Sequence, residues 1–357
     1  MKICIISAYP PQKGGIASYV DEFVKRISKK RKVILITYEK LGRKNRKNVE
    51  IKEVALPEFR WIRGLVFILK TLSILRELSK DVKIIHAHYL HPCGTAAVIF
   101  KKLFRKDCKA VITLHGSDVT KLYANKIFRI FLRRIANHAD AITCVSEFLK
   151  QKIENDLKRN IIVTYPGLPE IKIKSKSYNI RKKLGVKKNE ILVSYFAVLE
   201  EHKGIDVFLN FAEKFSNYRN VKFLIAGEGS KRKKVEKLAK KLKNLIYIGV
   251  LSRKEVLNYM NVSDVIVVPS KREALGLIAL EACYLKKPII AMDVGGLREV
   301  LSRFALAKNE KELETLLLKV ITSKDFRKKL ISENRKLLKK FSWKKTVMIF
   351  EKIYSTI

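Results

Sequence analysis

Short apolar runs alternate with stretches whose apolar residues recur every three or four positions along most of this 357-residue chain. The runs at residues 3–7, 33–38, 84–87, 110–114, 141–145 and 161–164 read as buried strands, with helical patterns between most of them. A polar, lysine-rich interval over 166–190 breaks the alternation and is the expected linker. The alternation then restarts at 191–196, 223–226, 245–248, 265–268 and 289–292, and helical patterns cover 310–322 and 343–354. Such alternation implies βαβ units and parallel sheets. Two α/β domains with a cleft between them are the economical architecture for this length, each able to bury a core.

Charge narrows the partners without choosing among them. Lys and Arg number 76 against 34 Asp and Glu, a formal net charge of +42, divided as +20 before residue 166 and +22 after it. An even spread describes a generally positive surface, attractive to anionic substrates, nucleic acid or anionic lipid. A basic nucleic-acid-binding protein is the alternative of another class, but no zinc module, helix-turn-helix or aromatic-basic RNA motif is recognisable, and nucleic acid is not an expected partner. The scattered cysteines (Cys4, Cys93, Cys108, Cys144 and Cys283) show no C-x-x-C spacing and read as reduced packing residues. The first residues form a strand at once and leave no room for a signal peptide, so a cytoplasmic protein is expected. The apolar run 65–69 is cut by Lys70 and is far too short to span a bilayer.

The most informative motif is Glu273 with Glu281, in Ser270-Lys-Arg-Glu-Ala-Leu-Gly-Leu-Ile-Ala-Leu-Glu-Ala282. An apolar run precedes the pair, and a helical pattern follows Gly276. The carboxylates therefore belong at a strand's carboxyl end, where open α/β sheets bind ligands. A helix opening at a glycine offers free N–H groups to a phosphate. In one continuous helix the two carboxylates would stand ~12 Å apart; with Glu273 in a loop and Glu281 in the first turns, both can face one elongated ligand. Elsewhere, Gly14 and Gly15 open a helix after a proline-containing loop, and His115-Gly-Ser-Asp118 ends a strand. Lys203 precedes a helix beginning near Ile205, and Gly227-Glu-Gly229 closes another strand. Each has a plainer reading: a tight turn, a satisfied core histidine, a solvated lysine. His86 and His88 share a strand face with His91 nearby, but no carboxylate or cysteine completes a ligand set, and no metal is expected.

In order and spacing, Gly14-Gly15, His115-Gly116, Lys203-Gly204, Gly227-Glu-Gly229, Glu273-x7-Glu281 and Phe341-Ser-Trp343 resemble the retaining family-four glycosyltransferases. The resemblance covers essentially the whole chain. It implies the GT-B fold: Rossmann-like domains over residues 1–168 and 169–342, parallel sheets facing a central cleft, and a last helix over about 343–357 crossing back to the first domain. It further implies that Glu281 holds the ribose hydroxyls and Glu273 those of the donor sugar. Gly276 and Leu277 would donate N–H groups to the phosphate, and Lys203 would neutralise the diphosphate. Val250 would lie by the base, Gly227 would border the donor site, and His115 would meet the sugar. The Gly14-Gly15 loop would approach the phosphate and acceptor. Catalytic roles then fall to His115 and Glu273, with a nucleotide-sugar substrate, no cofactor and no metal; UDP is favoured over GDP or ADP. Nucleotide-sugar epimerases or phosphorylases of the same fold are the enzymatic alternative. One departure stands out, since Ala197-Val198 occupies the place where the family usually has Gly-Arg.

The acceptor side carries a second expectation. The helical stretch 60–80 has apolar residues at Trp61, Leu65, Ile68, Leu72 and Leu75, with five basic side chains and one acidic. Stretches 99–109 and 121–134 each add five more basic residues among Phe, Leu and Ile. Such helices suit an anionic membrane surface and a lipid-linked acceptor, placing the protein on the inner membrane face. Packing of the stripe onto the sheet is the plainer alternative.

Overall fold

The computed structural model describes residues 2–10, 15–37, 46–59, 61–78, 82–116, 118–119, 125–168 and 177–357. The chain divides into two compact units, Met1–Gly167 with Phe341–Ile357, and Leu168–Lys340. Gly14 lies outside the described residues.

The first unit is built on seven parallel strands: β1 (Lys2–Ile6), β2 (Lys32–Thr37), β3 (Val49–Glu53), β4 (Val82–His88), β5 (Lys109–Leu114), β6 (Ala141–Cys144) and β7 (Ile162–Val163). Their spatial order is β3-β2-β1-β4-β5-β6-β7, and helices cover a core that leaves β1, β2 and β5 almost wholly buried. Edge strand β3 escapes the apolar pattern because its sequence, VEIKE, buries only Val49. The terminal helix Trp343–Thr356 belongs to this unit. Its Trp343 ring packs 5.1 Å from that of Tyr19 and Phe350 packs 4.9 Å from Phe23, while Arg31 grips Glu351 with two nitrogens at 2.9 and 2.7 Å. Thr346 donates to the carbonyl of Tyr165, and a Cβ on Gly167 would come 2.1 Å from Trp343 N. Glycine at 167 thus lets the departing chain lie against the returning helix.

The second unit repeats the scheme with β8 (Ile191–Phe196), β9 (Val221–Ala226), β10 (Leu245–Tyr247), β11 (Val265–Val268), β12 (Ile289–Met292) and β13 (Leu306–Ala307), ordered β10-β9-β8-β11-β12-β13 and parallel throughout. In both sheets the order reverses beside the first strand, which creates the switch point where such sheets bind ligands. The expected linker contains a helix, Ser177–Lys183, whose Arg181 bonds Asp264 at 2.8 Å and the carbonyl of Glu190 at 2.6 Å. Polar composition alone concealed it.

The amphipathic stripe in the first unit is divided. Helix Arg63–Glu77 buries Phe67, Ile68, Thr71 and Leu75, whereas Trp61, Leu65 and Leu69, four residues apart on another face, are 86%, 60% and 57% exposed. Among the described residues no helix is long and apolar enough to cross a membrane.

Candidate functional site

In the second unit the predicted residues gather at the carboxyl ends of β8, β9, β10 and β11. Three glycines let these loops approach closely. A Cβ on Gly204 would come 1.9 Å from the carbonyl oxygen of Pro269, one on Gly227 1.9 Å from that of Ala197, and one on Gly229 2.6 Å from that of Leu199. Gly204 has φ +70°, a conformation that also favours glycine. Lys271 N donates to the carbonyl of His202 at 2.9 Å, stitching the loop after β8 to the loop after β11. The result is a charged contact between residues 70 apart in sequence: Lys203 Nζ lies 2.6 Å from Glu273 Oε1, which also accepts from Ser270 Oγ at 3.0 Å. Both bonds fall on Oε1. Oε2 makes no hydrogen bond among the described residues, and Lys203 retains two further donors.

Three residues beyond Glu273, Gly276 caps helix Leu277–Tyr284 with φ +91°. A Cβ there would meet Leu297 Cδ2 at 2.5 Å. The first N–H groups of a helix have no partner within it, so this terminus presents donors and a positive dipole end. Glu281 lies one turn and more into the helix and is only 3% exposed, in surroundings where an unpartnered carboxylate is costly. Arg253 Nη2 approaches Oε1 to 2.6 Å but outside hydrogen-bond geometry, so this oxygen is ion-paired without receiving an N–H. Burial raises the pKa of Glu281 and Arg253 opposes the rise. Arg253 is itself set by a capping box, Ser252 with Glu255, at the start of helix Arg253–Val262. Val250, half-buried, follows Gly249, whose carbonyl accepts from Gly227 N at 2.9 Å. Val198 is 50% exposed beside these loops.

The first unit presents a different chemistry. His115 ends β5, with its ring 5.0 Å from Tyr19, on the helix that Gly15 opens, and 6.4 Å from Tyr89. Tyr89 holds φ +95°, an uncommon conformation for a residue with a side chain, at the end of β4. His115 Nε2 meets His88 Nδ1 at 3.0 Å. His86 is fully satisfied, by Tyr354 Oη and Thr113 Oγ1, each at 2.6 Å. His115 keeps partial surface exposure, yet its imidazole lies in desolvating surroundings that push its pKa down to about 3; burial does the same to His86, also to about 3, and holds His88 well below its usual value. Among the described residues no group of three His, Cys, Asp or Glu is arranged to hold a metal ion.

Asp118 holds the turn after β5, and sequence reasoning left it without a role. Its buried carboxylate accepts from the backbone N–H groups of Gly116 at 2.8 Å, His115 at 3.2 Å, Val119 at 3.2 Å and Leu90 at 3.4 Å, fixing the turn that carries His115. Burial outweighs these donors and raises its pKa to about 6. An Asp two residues after a strand-ending glycine was the available signal. Arg253 was also missed, because its partner Glu281 lies on another helix, and Ser270, three residues before its partner Glu273, stood in the motif without a role.

A family model for glycosyl transferases group 1 matches residues 176–337, and one for glycosyltransferase family 4 matches residues 13–170. The chain is 31% identical to glycosyltransferase MJ1178 of Methanocaldococcus jannaschii, over 100% of this chain and 99% of that protein. Among solved structures, sucrose-phosphate synthase of Thermosynechococcus elongatus matches with a TM-score of 0.84 at 17% identity, over 99% and 98% of the two chains. Anabaena HepE in complex with UDP-glucose matches with a TM-score of 0.80 at 16% identity, covering both chains completely. At such identities these two likenesses establish the fold alone, which is GT-B. Matched along both units and over its full length, the chain belongs to the group 1, family 4 glycosyltransferases.

Proposed function

We propose that the protein is a retaining, metal-independent glycosyltransferase that moves a sugar from a nucleotide diphosphate sugar, UDP before GDP or ADP, to a saccharide or lipid-linked acceptor. The observation that carries this reading is the Lys203–Glu273 pair beside the N-terminus of the helix that buries Glu281. In the reaction the bond from C1 to the β-phosphate oxygen breaks, and its electron pair leaves with the diphosphate. The acceptor oxygen bonds C1 on the same face and its proton passes to the departing phosphate. Lys203 and the N–H groups of Gly276 and Leu277 stabilise the charge that develops there, a role preorganised donors fill well in a water-poor site. Glu273 holds sugar hydroxyls through Oε2, Glu281 holds the ribose, and His115 meets the sugar. With Val198 in the place of an arginine, the diphosphate is assigned to Lys203, which keeps two donors beyond its bond to Glu273. UDP is favoured because HepE, of like fold, has been solved with UDP-glucose.

The test is a thermal-shift comparison of UDP-, GDP- and ADP-sugars, followed by proton NMR of the product's anomeric configuration. Stabilisation by a UDP-sugar and a retained anomer support the reading; stabilisation by none of the three, or an inverted anomer, defeats it.

The membrane part of the proposal rests on exposed apolar side chains set among basic ones. Trp61, Leu65 and Leu69 are joined by Leu103 on the helix Thr95–Leu103, and by Ile127 and Ile130 on the helix Lys126–Asn137. Exposed Arg63, Lys70, Lys102, Arg129, Arg133 and Arg134 lie among them. Apolar residues entering the headgroup layer beside cations that attract anionic lipid give two additive terms. Sedimentation with anionic vesicles and none with neutral ones is expected, and negligible binding to both would remove the membrane from this account.

A further inference from the structure

Three histidines lie together at one end of the first sheet, and their hydrogen bonds are unequal. His86 uses both ring nitrogens, on Tyr354 and Thr113. His88 uses one: its Nδ1 meets His115 Nε2 at 3.0 Å, while its own Nε2 is buried with no hydrogen-bond partner. Rings surround it, with Tyr19 and Phe23 each at 5.7 Å and His86 at 4.3 Å between centroids.

A neutral imidazole carries one proton, and the choice of nitrogen is made by what each can reach. With the proton on Nε2, His88 would strand a buried N–H among aromatic rings; with the proton on Nδ1 it strands only a lone pair. Buried N–H groups without acceptors are the rarer of the two in folded proteins. The proton of His88 therefore belongs on Nδ1, donated to His115 Nε2. An accepting Nε2 leaves His115 its single proton on Nδ1, which makes no hydrogen bond among the described residues.

We propose that His88 is a positioning residue that holds His115 in the Nδ1–H tautomer, so that His115 offers the bound sugar a hydrogen-bond donor and is unable to act there as a base through Nε2. The tautomer assignment stands on the protein alone. Its consequence for the sugar rests on the reading that His115 meets the donor substrate.

The first test needs no ligand. Long-range proton–nitrogen correlation spectra of histidine-labelled protein near pH 7.5, assigned with His115→Gln and His88→Asn, are expected to show Nδ1 protonated and Nε2 unprotonated in both residues. A protonated Nε2 on His115 overturns the proposal. Kinetics supply the second test. Asn places an amide N–H where His88 has Nδ1, so His88→Asn is expected to keep kcat/KM about tenfold above that of His88→Leu, which removes the donor. Equal losses in two variants with wild-type urea midpoints overturn the positioning role. If neither variant folds, the wild-type spectrum decides. Unchanged turnover in His115→Ala, by contrast, counts against the sugar reading and leaves the tautomer assignment intact.

Discussion

The strand ends of the two units have the same architecture and different electrostatics. At β4 and β5 imidazoles lie among aromatic rings, the imidazoles neutral because burial has driven their proton affinities down, and the carboxyl of Asp118 is enclosed by backbone N–H groups. At β8, β10 and β11 the side chains form ion pairs, Lys203 with Glu273 and Arg253 with Glu281, beside a helix N-terminus. The difference follows the chemistry each end is proposed to meet: hydroxyl groups need oriented dipoles, whereas a departing diphosphate needs fixed positive charge. One backbone plan thus supports two kinds of recognition, because the plan only delivers loops and helix ends, and the side chains decide what they hold.

The sharpest way to break this contrast is to remove its charge. Lys203→Ala is expected to lower kcat/KM about 10²- to 10³-fold with little change in folding, since the lysine is partly exposed. Sugar-nucleotide turnover at the wild-type rate would show that the charged region does not carry the chemistry. Next in size is the packing that creates the pair. Gly204→Ala must push its Cβ into the Pro269 carbonyl at a positive φ, which predicts a loss of roughly 2–3 kcal/mol in urea unfolding; a loss under about 0.5 kcal/mol would mean the loops do not approach as described.

The neutral region can be tested with acid. His86, His88 and His115 have folded pKa values below the usual 6.5, so as pH falls from 6.5 toward 3 the unfolded chain takes up protons that the folded one refuses, and stability declines. Asp118, raised to about 6, works in the opposite sense between about 4 and 6, where the folded state holds the extra proton. Each histidine contributes a slope of about 1.4 kcal/mol per pH unit. His86→Phe should flatten the wild-type slope between pH 4 and 6 by about that amount, and identical slopes would place the histidine in contact with solvent. The smallest effect is expected from Glu281→Gln, which keeps the shape and removes the charge. The KM for the preferred nucleotide sugar should rise about tenfold while kcat stays near the wild-type value; a fall in kcat alone would assign Glu281 to the reaction and not to the ribose.

Legibility differed with the range of the interactions. Glycines at 204, 227 and 276 were visible as motif members, and each proved to occupy a place where a Cβ would collide. The spacing of Glu273 and Glu281 pointed to a strand end and a helix start, and that is where they lie. Edge strand β3 was missed because a half-exposed strand has no reason to be apolar, and the two-residue β13 was missed as well. The stripe on helix Arg63–Glu77 is split between the two readings the sequence offered: Ile68 and Leu75 pack into the core, and Trp61 and Leu65 turn away from it. Periodicity reports that apolar residues share a face, and it does not report which of two overlapping faces finds a partner.

What the chain determined by itself is the sequence of βα units, the two-fold repetition of a parallel sheet, and the placing of glycines, carboxylates and histidines at strand ends, because period and steric freedom are local properties. What only the tertiary structure decided is which of these groups meet. Lys203 and Glu273 are 70 residues apart, His88 and His115 are 27 apart, and Arg31 and Glu351 are 320 apart. Hydrogen-bond partners, burial and hence the charge state of each group come from neighbours that packing supplies, and no local pattern encodes a neighbour so far along the chain.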